Sequence, residues 1–588
     1  MTASAQATRR WPWPVAVLFW LAFSAFLLAG KAGPVSQLVL PDADDYVRLV
    51  QVEQWLDGGG FRDVGLPRLD PPAGVVMHWS RLPDLPIAAV ILAVEPFSDR
   101  QTAVTAALLV VPALYMLGFL LLVTAISARL FGPGPALLAP LLAIFAVPAI
   151  GAFMPGRIDH HNIQVLLALV MLDAATRLYA GQGRRWAIVM GAAGGLAIAI
   201  GAEALPQILA CYAALGLGWI LGRPAMLRAG LLMSTTLAAT ASGILVLAVA
   251  RNSYFAAACD SLSLVYVVAT GLAAAVWAIL WALDRFLTTA AARALVAAVL
   301  AAGALAILLA AYPACAGGPY GALPQELKES WLASVDEAQS ALHLARKDMT
   351  RLNIHLLLPV IALVGLSLGA WRHRDNPVWL PLLVFTGVTL AIAILQIRAT
   401  TAANAIAIIG AVHAYAALYD GVRRRARALP HLAASAVVIA LLPLSIFAAT
   451  GGLSERAAQT ERRAVACGLP QSLAVLDTLP PGAVMAPANL GAIILAHTRH
   501  AVFAAHYHRD VDGLLAAQRV FEAASPDVAL AEIRRKKADY VVVCLGKGPY
   551  GLKAPNADSF AGSLVAGAAP SWLSRVPDDK LEIFRVMP

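Results

Sequence analysis

Long apolar runs separated by short polar segments make up most of this chain. Runs of about 20 residues, the length that crosses a bilayer as a helix, recur between Trp11 and Thr450. The run from Pro86 to Phe97 is too short to span and is interpreted as a re-entrant or interfacial helix. From about Gly451 onward the composition is that of an ordinary soluble domain. The pattern predicts a transmembrane domain in residues 1–450 and a water-exposed domain in residues 451–588.

The apolar pattern predicts about thirteen membrane-spanning helices. The first begins at Trp11, directly after Arg9 and Arg10, as a signal peptide would. It lacks a convincing small-residue cleavage site and many spans follow, so we interpret it as an uncleaved helix. The remaining helices are predicted near residues 102–127, 134–153, 162–180, 186–203, 204–222, 229–250, 262–283, 290–312, 353–371, 377–397, 401–419 and 432–449.

Composition and charge agree with a polytopic membrane protein. Hydrophobic residues make up 60% of the chain and charged residues 13%, against roughly 25% charged residues in soluble proteins. The net charge of +9 lies largely in arginine clusters between apolar runs, at residues 184–185, 223–228, 284–285, 372–374 and 423–427. With thirteen spans every one of these clusters is cytoplasmic, as the positive-inside rule requires. The clusters therefore indicate topology and argue against a nucleic-acid partner.

This topology predicts a protein of the bacterial inner membrane with a cytoplasmic N-terminus and a periplasmic C-terminal domain. The main external loops are then residues 31–101, 154–161 and 313–352. Cys259 and Cys315 lie in predicted external loops, and Cys467 and Cys544 lie in the external domain. Each pair is a candidate disulfide in an oxidising compartment, with five unrelated thiols as the alternative. Cys211 is expected to be buried in a helix.

The first group of candidate site residues follows the first helix, in the segment Pro-Asp-Ala-Asp-Asp-Tyr-Val-Arg at residues 41–48. Asp42, Asp44 and Asp45 are three carboxylates within four residues, which repel one another unless a cation or Arg48 compensates their charge. This spacing favours a divalent-metal site. The alternative is a solvated loop that caps the next helix.

Two further groups lie in later external loops. Asp159, His160 and His161 lie in a turn that can aim a carboxylate and an imidazole at one ion. Such a mixed donor set selects Mn²⁺ or Mg²⁺ less uniquely than an all-oxygen set does, and it also tolerates Zn²⁺. Glu337, in Ser-Val-Asp-Glu-Ala-Gln at residues 334–339, is a candidate to complete a metal shell or to hold an acceptor. A surface helix is the alternative for that segment.

Other polar residues are candidates for the walls of the same site. His78 and Arg81 lie in a polar part of the first external loop, and Glu203 lies near the end of a predicted helix. His506, His508 and Arg509 lie in the C-terminal domain, which we expect to be α/β because strand-like runs at 483–486 and 540–544 alternate with helical stretches near 511–523 and 527–537. For each of these residues a purely structural role is the alternative.

Taken together, the three acidic groups resemble the catalytic subunit of oligosaccharyltransferases, which belongs to the GT-C class of membrane glycosyltransferases. The resemblance implies about thirteen spans with a C-terminal external domain. It also implies that Asp44, with Asp42 or Asp45 as the alternative, binds a divalent cation together with Asp159 and His161. By the same resemblance Glu337 helps to organise metal and acceptor, and Arg398 holds the phosphate of a lipid-linked donor; snorkelling is the alternative for Arg398.

The activity implied is transfer of a sugar from a polyprenyl phosphate or diphosphate to a periplasmic glycan, lipid or protein acceptor, with Mn²⁺ or Mg²⁺ as cofactor. The Trp-Trp-Asp signature by which that family reads a glycosylation sequon does not occur in residues 451–588, which leaves the acceptor open. A polyprenyl-monophosphate-dependent transferase and a lipid-linked sugar transporter are the competing interpretations. There is no Walker loop, and the glycines of residues 191–195 are expected to serve helix packing.

Overall fold

The computed structural model describes residues 12–425, 470–545, 552, 558–578 and 580–588. Within these ranges, long helices occupy the chain up to residue 425 and a mixed sheet follows. The long helices are Trp13–Ser36, Arg100–Phe131, His161–Tyr179, Arg185–Ile200, Leu205–Ile220, Pro224–Ala248, Leu264–Leu283, Ala290–Ala311, Met349–Arg372, Trp379–Leu395 and Thr400–Arg425.

Nine helices in the described part of the chain are long and apolar enough to cross a membrane, or ten if one bent pair forms a single span. Arg185–Ile200 and Trp379–Leu395 are apolar but shorter. Each span predicted within the described residues thus corresponds to helical structure, and the chain is a multi-pass membrane protein. The predicted span 432–449 lies outside the described residues, so the number thirteen stays a prediction.

The predicted span 134–153 is not one straight helix. Its two halves, Pro133–Phe145 and Val147–Phe153, meet at an angle of 75°. Pro148 is at the start of the second half and has no N–H to bond to the preceding turn, which explains the break.

Close helix packing uses the glycines predicted for that role. A Cβ on Gly191 would collide with the Met233 carbonyl oxygen, and a Cβ on Gly195 would lie 2.7 Å from Thr240 Cβ. Because these glycines have no side chain, the helices Arg185–Ile200 and Pro224–Ala248 can pack closely against each other.

Residues 470–588, which we call the sheet region, contain a five-stranded sheet. Its strands are β3 (Ala483–Met485), β4 (Ala501–Val502), β5 (Tyr540–Val543), β6 (Leu573–Val576) and β7 (Glu582–Val586). Their order is β4-β3-β5-β7-β6, parallel from β4 to β5 and antiparallel beyond. The helices Ala488–His497, Val511–Phe521, Pro526–Lys536 and Phe560–Val565 connect them. The expected α/β character is confirmed.

The first connecting segment, residues 37–99, contains the helices Ala43–Leu56 and Asp84–Val94 and a small hairpin of β1 (Gly65–Leu66) and β2 (Val75–Val76). The helix Asp84–Val94 has 11 residues. At a rise of about 1.5 Å per residue it is too short to cross a bilayer, as expected.

The first connecting segment packs on the sheet region. Leu69 forms a parallel bridge to Val502, and the flanking backbone bonds, Asp70 N to Val502 O and Val502 N to Arg68 O, are both 2.8 Å long. The guanidinium of Arg68 donates to the carbonyls of Leu495 and Thr498, at the end of the helix Ala488–His497. The two parts share one buried apolar cluster. The boundary near residue 450 therefore remains a prediction.

Of the two cysteine pairs, Cys259 and Cys315 form a disulfide. Cys467, the predicted partner of Cys544, lies outside the described residues. Cys211 is a buried free thiol, as expected.

Candidate functional site

The carboxylates of the 42–45 segment have separate structural roles. Asp42 is the N-cap of the helix Ala43–Leu56 and forms an ion pair with Arg157 at 2.9 Å. Asp45 is fully buried and accepts hydrogen bonds from the backbone N–H groups of Ile158 and Asp159, at 2.9 and 3.0 Å. Burial raises its pKa to about 7, although Arg157 opposes the shift. Asp45 thus fixes the turn that presents Asp159.

Asp159 and the two histidines after it form a compact cluster. Asp159 Oδ1 lies 2.5 Å from His160 Nδ1, and Oδ2 lies 3.1 Å from His161 Nε2. Oδ2 also lies 3.7 Å from Arg157 Nη2. These ion pairs of the buried Oδ2 are not aligned as hydrogen bonds, which leaves the oxygen able to accept a bound cation.

A row of charges continues from His161. Glu203 lies in the short helical turn Ala202–Ala204, where Arg185–Ile200 gives way to the next helix. Its Oε2 is 2.8 Å from His161 Nδ1 and its Oε1 is 2.9 Å from Arg398 Nη1. Arg398 also contacts Glu337 Oε2, at 3.1 Å from Nη2. The structure therefore brings the separately predicted residues Glu203, Glu337 and Arg398 into one network with Asp159.

Asp44 faces the same network. Burial, followed by repulsion from Asp159 and Asp42, raises its pKa well above the usual range, while Arg398 and His161 lower it. A cation shared by Asp44 and Asp159 would relieve this repulsion. Tyr507 of the sheet region donates a hydrogen bond to the carbonyl of Ala43 at 3.1 Å, and its own pKa is raised by burial and by Asp44.

Two cavities meet at this row of charges. One, of about 540 Å³, has His161, Glu203, Arg398 and Tyr320 at its polar end and apolar walls from Ile200, Leu205, Ile208, Leu209 and Ile392. The other, of about 300 Å³, is lined by Arg157, Glu337, His355 and Thr400. His161 and Arg398 line both cavities, so the charged row lies where the two cavities adjoin.

Arg48 and Arg81 have partners in the protein core. Arg48 Nη1 and Arg81 Nη1 lie 2.6 and 3.3 Å from the two oxygens of buried Asp84. Arg48 also stacks over Trp79 and reaches His160 Nδ1 at 3.4 Å. These residues fix the first connecting segment against the cluster of Asp159, His160 and His161.

A second polar cluster lies in the wall of the larger cavity. His78 of the first connecting segment, Asp260 and His508 of the sheet region converge there. Arg509 forms a bidentate pair with Asp260. His506 lies elsewhere and accepts a hydrogen bond from Trp331 Nε1 at 2.9 Å.

Sequence reasoning missed Asp260 and Tyr320. The acidic residue directly after Cys259 was a usable signal for Asp260, because a disulfide-anchored loop holds a carboxylate rigidly. Tyr320 carries no distinctive local pattern, whereas Tyr507 lies in the polar segment 506–510 that the sequence already pointed to. The tertiary fold places Tyr320 beside Arg398 and Tyr507 beside Asp44.

No protein-family model and no curated protein matches this sequence. Solved structures do match. The archaeal oligosaccharyltransferase AglB from Archaeoglobus fulgidus, in complex with an inhibitory peptide and a dolichol-phosphate, superposes with a TM-score of 0.67 at 13% identity, covering 92% of this chain and 70% of that one. The apo form of an Archaeoglobus fulgidus oligosaccharyltransferase gives a TM-score of 0.65 at 14% identity, with 92% and 70% covered. The complex of that oligosaccharyltransferase with Zn and sulfate gives 0.61 at 14%, with 90% and 68% covered. The chain therefore has the GT-C fold of the oligosaccharyltransferases.

Proposed function

We propose that this protein is a glycosyltransferase that moves a sugar or oligosaccharide from a polyprenyl phosphate or diphosphate carrier to an acceptor at the periplasmic face of a bacterial inner membrane. The observation that carries the proposal is the row of Asp159, His161, Glu203 and Arg398 between two cavities. The similar oligosaccharyltransferase structures support it, because one contains a dolichol-phosphate and another contains zinc and sulfate.

The residues present fit a divalent cation. Asp44, Asp159 and His161 are the proposed ligands, with Glu203 next to them. The reasons are that Asp159 Oδ2 accepts no aligned hydrogen bond and that Asp44 is repelled by neighbouring carboxylates. When bound, the cation would act as a Lewis acid that stabilises the leaving phosphate. The mixed nitrogen and oxygen donor set favours Mn²⁺ over Mg²⁺, which prefers oxygen ligands alone.

The larger cavity suits the donor. Its apolar walls match the first units of a polyprenyl chain, and Arg398 stands at its polar end. A guanidinium binds phosphate through two charge-assisted hydrogen bonds. Glu203 and Glu337 orient the guanidinium of Arg398. A bound phosphate would accept hydrogen bonds from some of its N–H groups in their place.

The smaller cavity suits the acceptor. In the transfer step the acceptor heteroatom attacks C1 of the sugar, the bond from C1 to the carrier's phosphate oxygen breaks with its electrons going to that oxygen, and the acceptor proton passes to a carboxylate. Glu337 lines this cavity, and Asp44 is the second candidate to orient the acceptor or take the proton. A glycan, a lipid and a protein all remain compatible with the cavity.

Transfer from a radiolabelled polyprenyl-linked sugar pool, in membranes that contain the wild type or a variant, tests the proposal. Asp159→Asn and Asp44→Asn are expected to lower product formation at least 100-fold, in the range of losses seen when a group that stabilises the transition state is removed. EDTA should abolish wild-type transfer and Mn²⁺ should restore it.

Glu337→Gln has a matched control in its neighbour. Asp336 pairs with Lys347 and Arg351 and does not line either cavity, so Asp336→Asn should transfer at the wild-type rate while Glu337→Gln should not. Equal product from all variants, or labelled lipid that changes leaflet without transfer, would refute the proposal; the second result would favour a transporter.

A further inference from the structure

We propose that His78, Asp260 and His508 bind a zinc ion at a second site, separate from the cation proposed at Asp159 and His161. One ligand atom from each residue lies within 4.8 Å of the others. The three residues come from the first connecting segment, from the loop beside the disulfide and from the sheet region. An ion here would tie together three parts of the chain that are distant in sequence.

The donor set favours zinc. Two imidazoles and one carboxylate form a three-ligand zinc set, which leaves a fourth tetrahedral position for water or another ligand. All three residues also line the 540 Å³ cavity, so that fourth position has access to the cavity. Mg²⁺ and Ca²⁺, which prefer all-oxygen shells, fit two imidazoles poorly.

Asp260 is held rigidly before any ion binds. Arg509 donates from Nε to Oδ2 and from Nη2 to Oδ1, both at 2.7 Å. Its neighbour Cys259 is fixed by the disulfide to Cys315, and the Cys259 carbonyl accepts a hydrogen bond from Tyr266. Metal-binding carboxylates are commonly oriented by such outer hydrogen bonds.

Arg509 also fixes the segment that carries His78. Its Nη1 donates to the carbonyls of Val76 and Met77, both at 3.1 Å. One guanidinium therefore sets the relative positions of two ligands, Asp260 and His78. It lies next in sequence to the third ligand, His508.

One histidine nitrogen is unpartnered and a second lies beside the carboxylate. His78 Nδ1 is buried and lacks a hydrogen-bond partner among the described residues. His508 Nε2 is hydrogen-bonded to Asp260 Oδ2 at 2.6 Å. Zinc binding would replace this hydrogen bond: the two atoms would move apart to about 3.3 Å, the separation of two ligands on a tetrahedral ion with bonds of about 2 Å, and the neutral imidazole would carry its proton on Nδ1. The nitrogen of His78 would then gain a partner.

Zinc content of the purified full-length protein tests the proposal. The protein in detergent is stripped with EDTA, incubated with excess ZnCl₂, desalted, and analysed by elemental mass spectrometry. Asp159→Asn/His161→Gln, which lacks the first cluster, is expected to retain zinc at about one ion per chain, and adding His78→Gln/His508→Gln should remove it. In the wild-type background His78→Gln/His508→Gln should lose one ion.

His506→Gln is the matched control, because His506 lies two residues from His508 but contacts Trp331 instead; it should retain the zinc. Size-exclusion profiles and circular dichroism must match those of the wild type for each variant that is compared. Zinc content that is unchanged by His78→Gln/His508→Gln in both backgrounds would overturn the proposal. His78, Asp260 and His508 would then have only a structural role, through hydrogen bonds such as the one between His508 and Asp260. Because the readout is zinc and not sugar transfer, this result is independent of the proposed enzymatic activity.

Discussion

At the residue scale, neighbouring carboxylates perform different tasks. Asp42 caps a helix, Asp44 faces the charged row, and Asp45 binds the backbone of the turn before His160. The sequence pattern shows that acidic residues are concentrated there, but it does not assign the tasks. Helical geometry decides them, since successive side chains in a helix point in different directions.

Asp45→Ala is expected to destabilise the protein by about 2 kcal/mol or more, because two buried N–H groups lose their acceptor. Asp42→Ala, which removes a partly exposed cap, should cost only about 1 kcal/mol. Thermal unfolding of the two purified variants makes the comparison. Equal unfolding temperatures for Asp45→Ala and the wild type would contradict the role given to Asp45.

The buried pair of Arg48 and Asp84 gives a second prediction. Asp84→Ala leaves two arginines in the core without their carboxylate, so we expect a loss of about 3–5 kcal/mol. Glu95, which pairs with Arg100 near the surface, provides the control, and Glu95→Ala should cost less than about 1 kcal/mol. Unfolding temperatures in the same detergent are the measurement, and similar shifts for both variants would show that the core pair is dispensable.

At the element scale, helix contact depends on missing side chains. Gly191→Ala places a methyl group against the backbone of the helix Pro224–Ala248 and should lower the unfolding temperature. Gly243→Ala in that helix meets no atom within 4 Å and should leave the temperature unchanged or raise it. A lower unfolding temperature for Gly243→Ala than for Gly191→Ala would show that the two helices do not need this close contact.

The helices and the α/β character of the sheet region could be predicted from the sequence, because span length and apolar runs are local properties. The site could be predicted only in part. Asp159 and His161 are neighbours in the chain, but Glu203 and Arg398 are 195 positions apart and meet through helix packing. The 75° bend after Phe145 was also missed, since an apolar run does not distinguish a straight helix from a broken one.

At the scale of the whole molecule, the contacts place several connecting segments on one face. Arg157 contacts Asp42, His161 contacts Glu203, and Glu337 contacts Arg398. A chain that returns to the same face crosses the membrane an even number of times. The short helices Arg185–Ile200 and Trp379–Leu395 are therefore expected to cross, whereas Asp84–Val94 does not.

Cysteine labelling tests this arrangement. Ser334→Cys is on the side of the charged row, and Gln182→Cys is at the far end of the helix His161–Tyr179. In intact spheroplasts a membrane-impermeant maleimide should modify only Ser334→Cys, and permeabilisation should expose Gln182→Cys. The wild type gives the background. Labelling of both variants before permeabilisation would contradict the proposed topology.

The junction of the two cavities at His161 and Arg398 has a consequence for pharmacology. Since each cavity also has lining residues of its own, we expect a small molecule in one cavity to leave room for a second molecule in the other. Two weak ligands, an apolar one in the larger cavity and a polar one in the smaller cavity, would then bind at the same time rather than compete. A short tether past Arg398 would turn the second binding event into an intramolecular one, so the joined compound would bind far more tightly than either half.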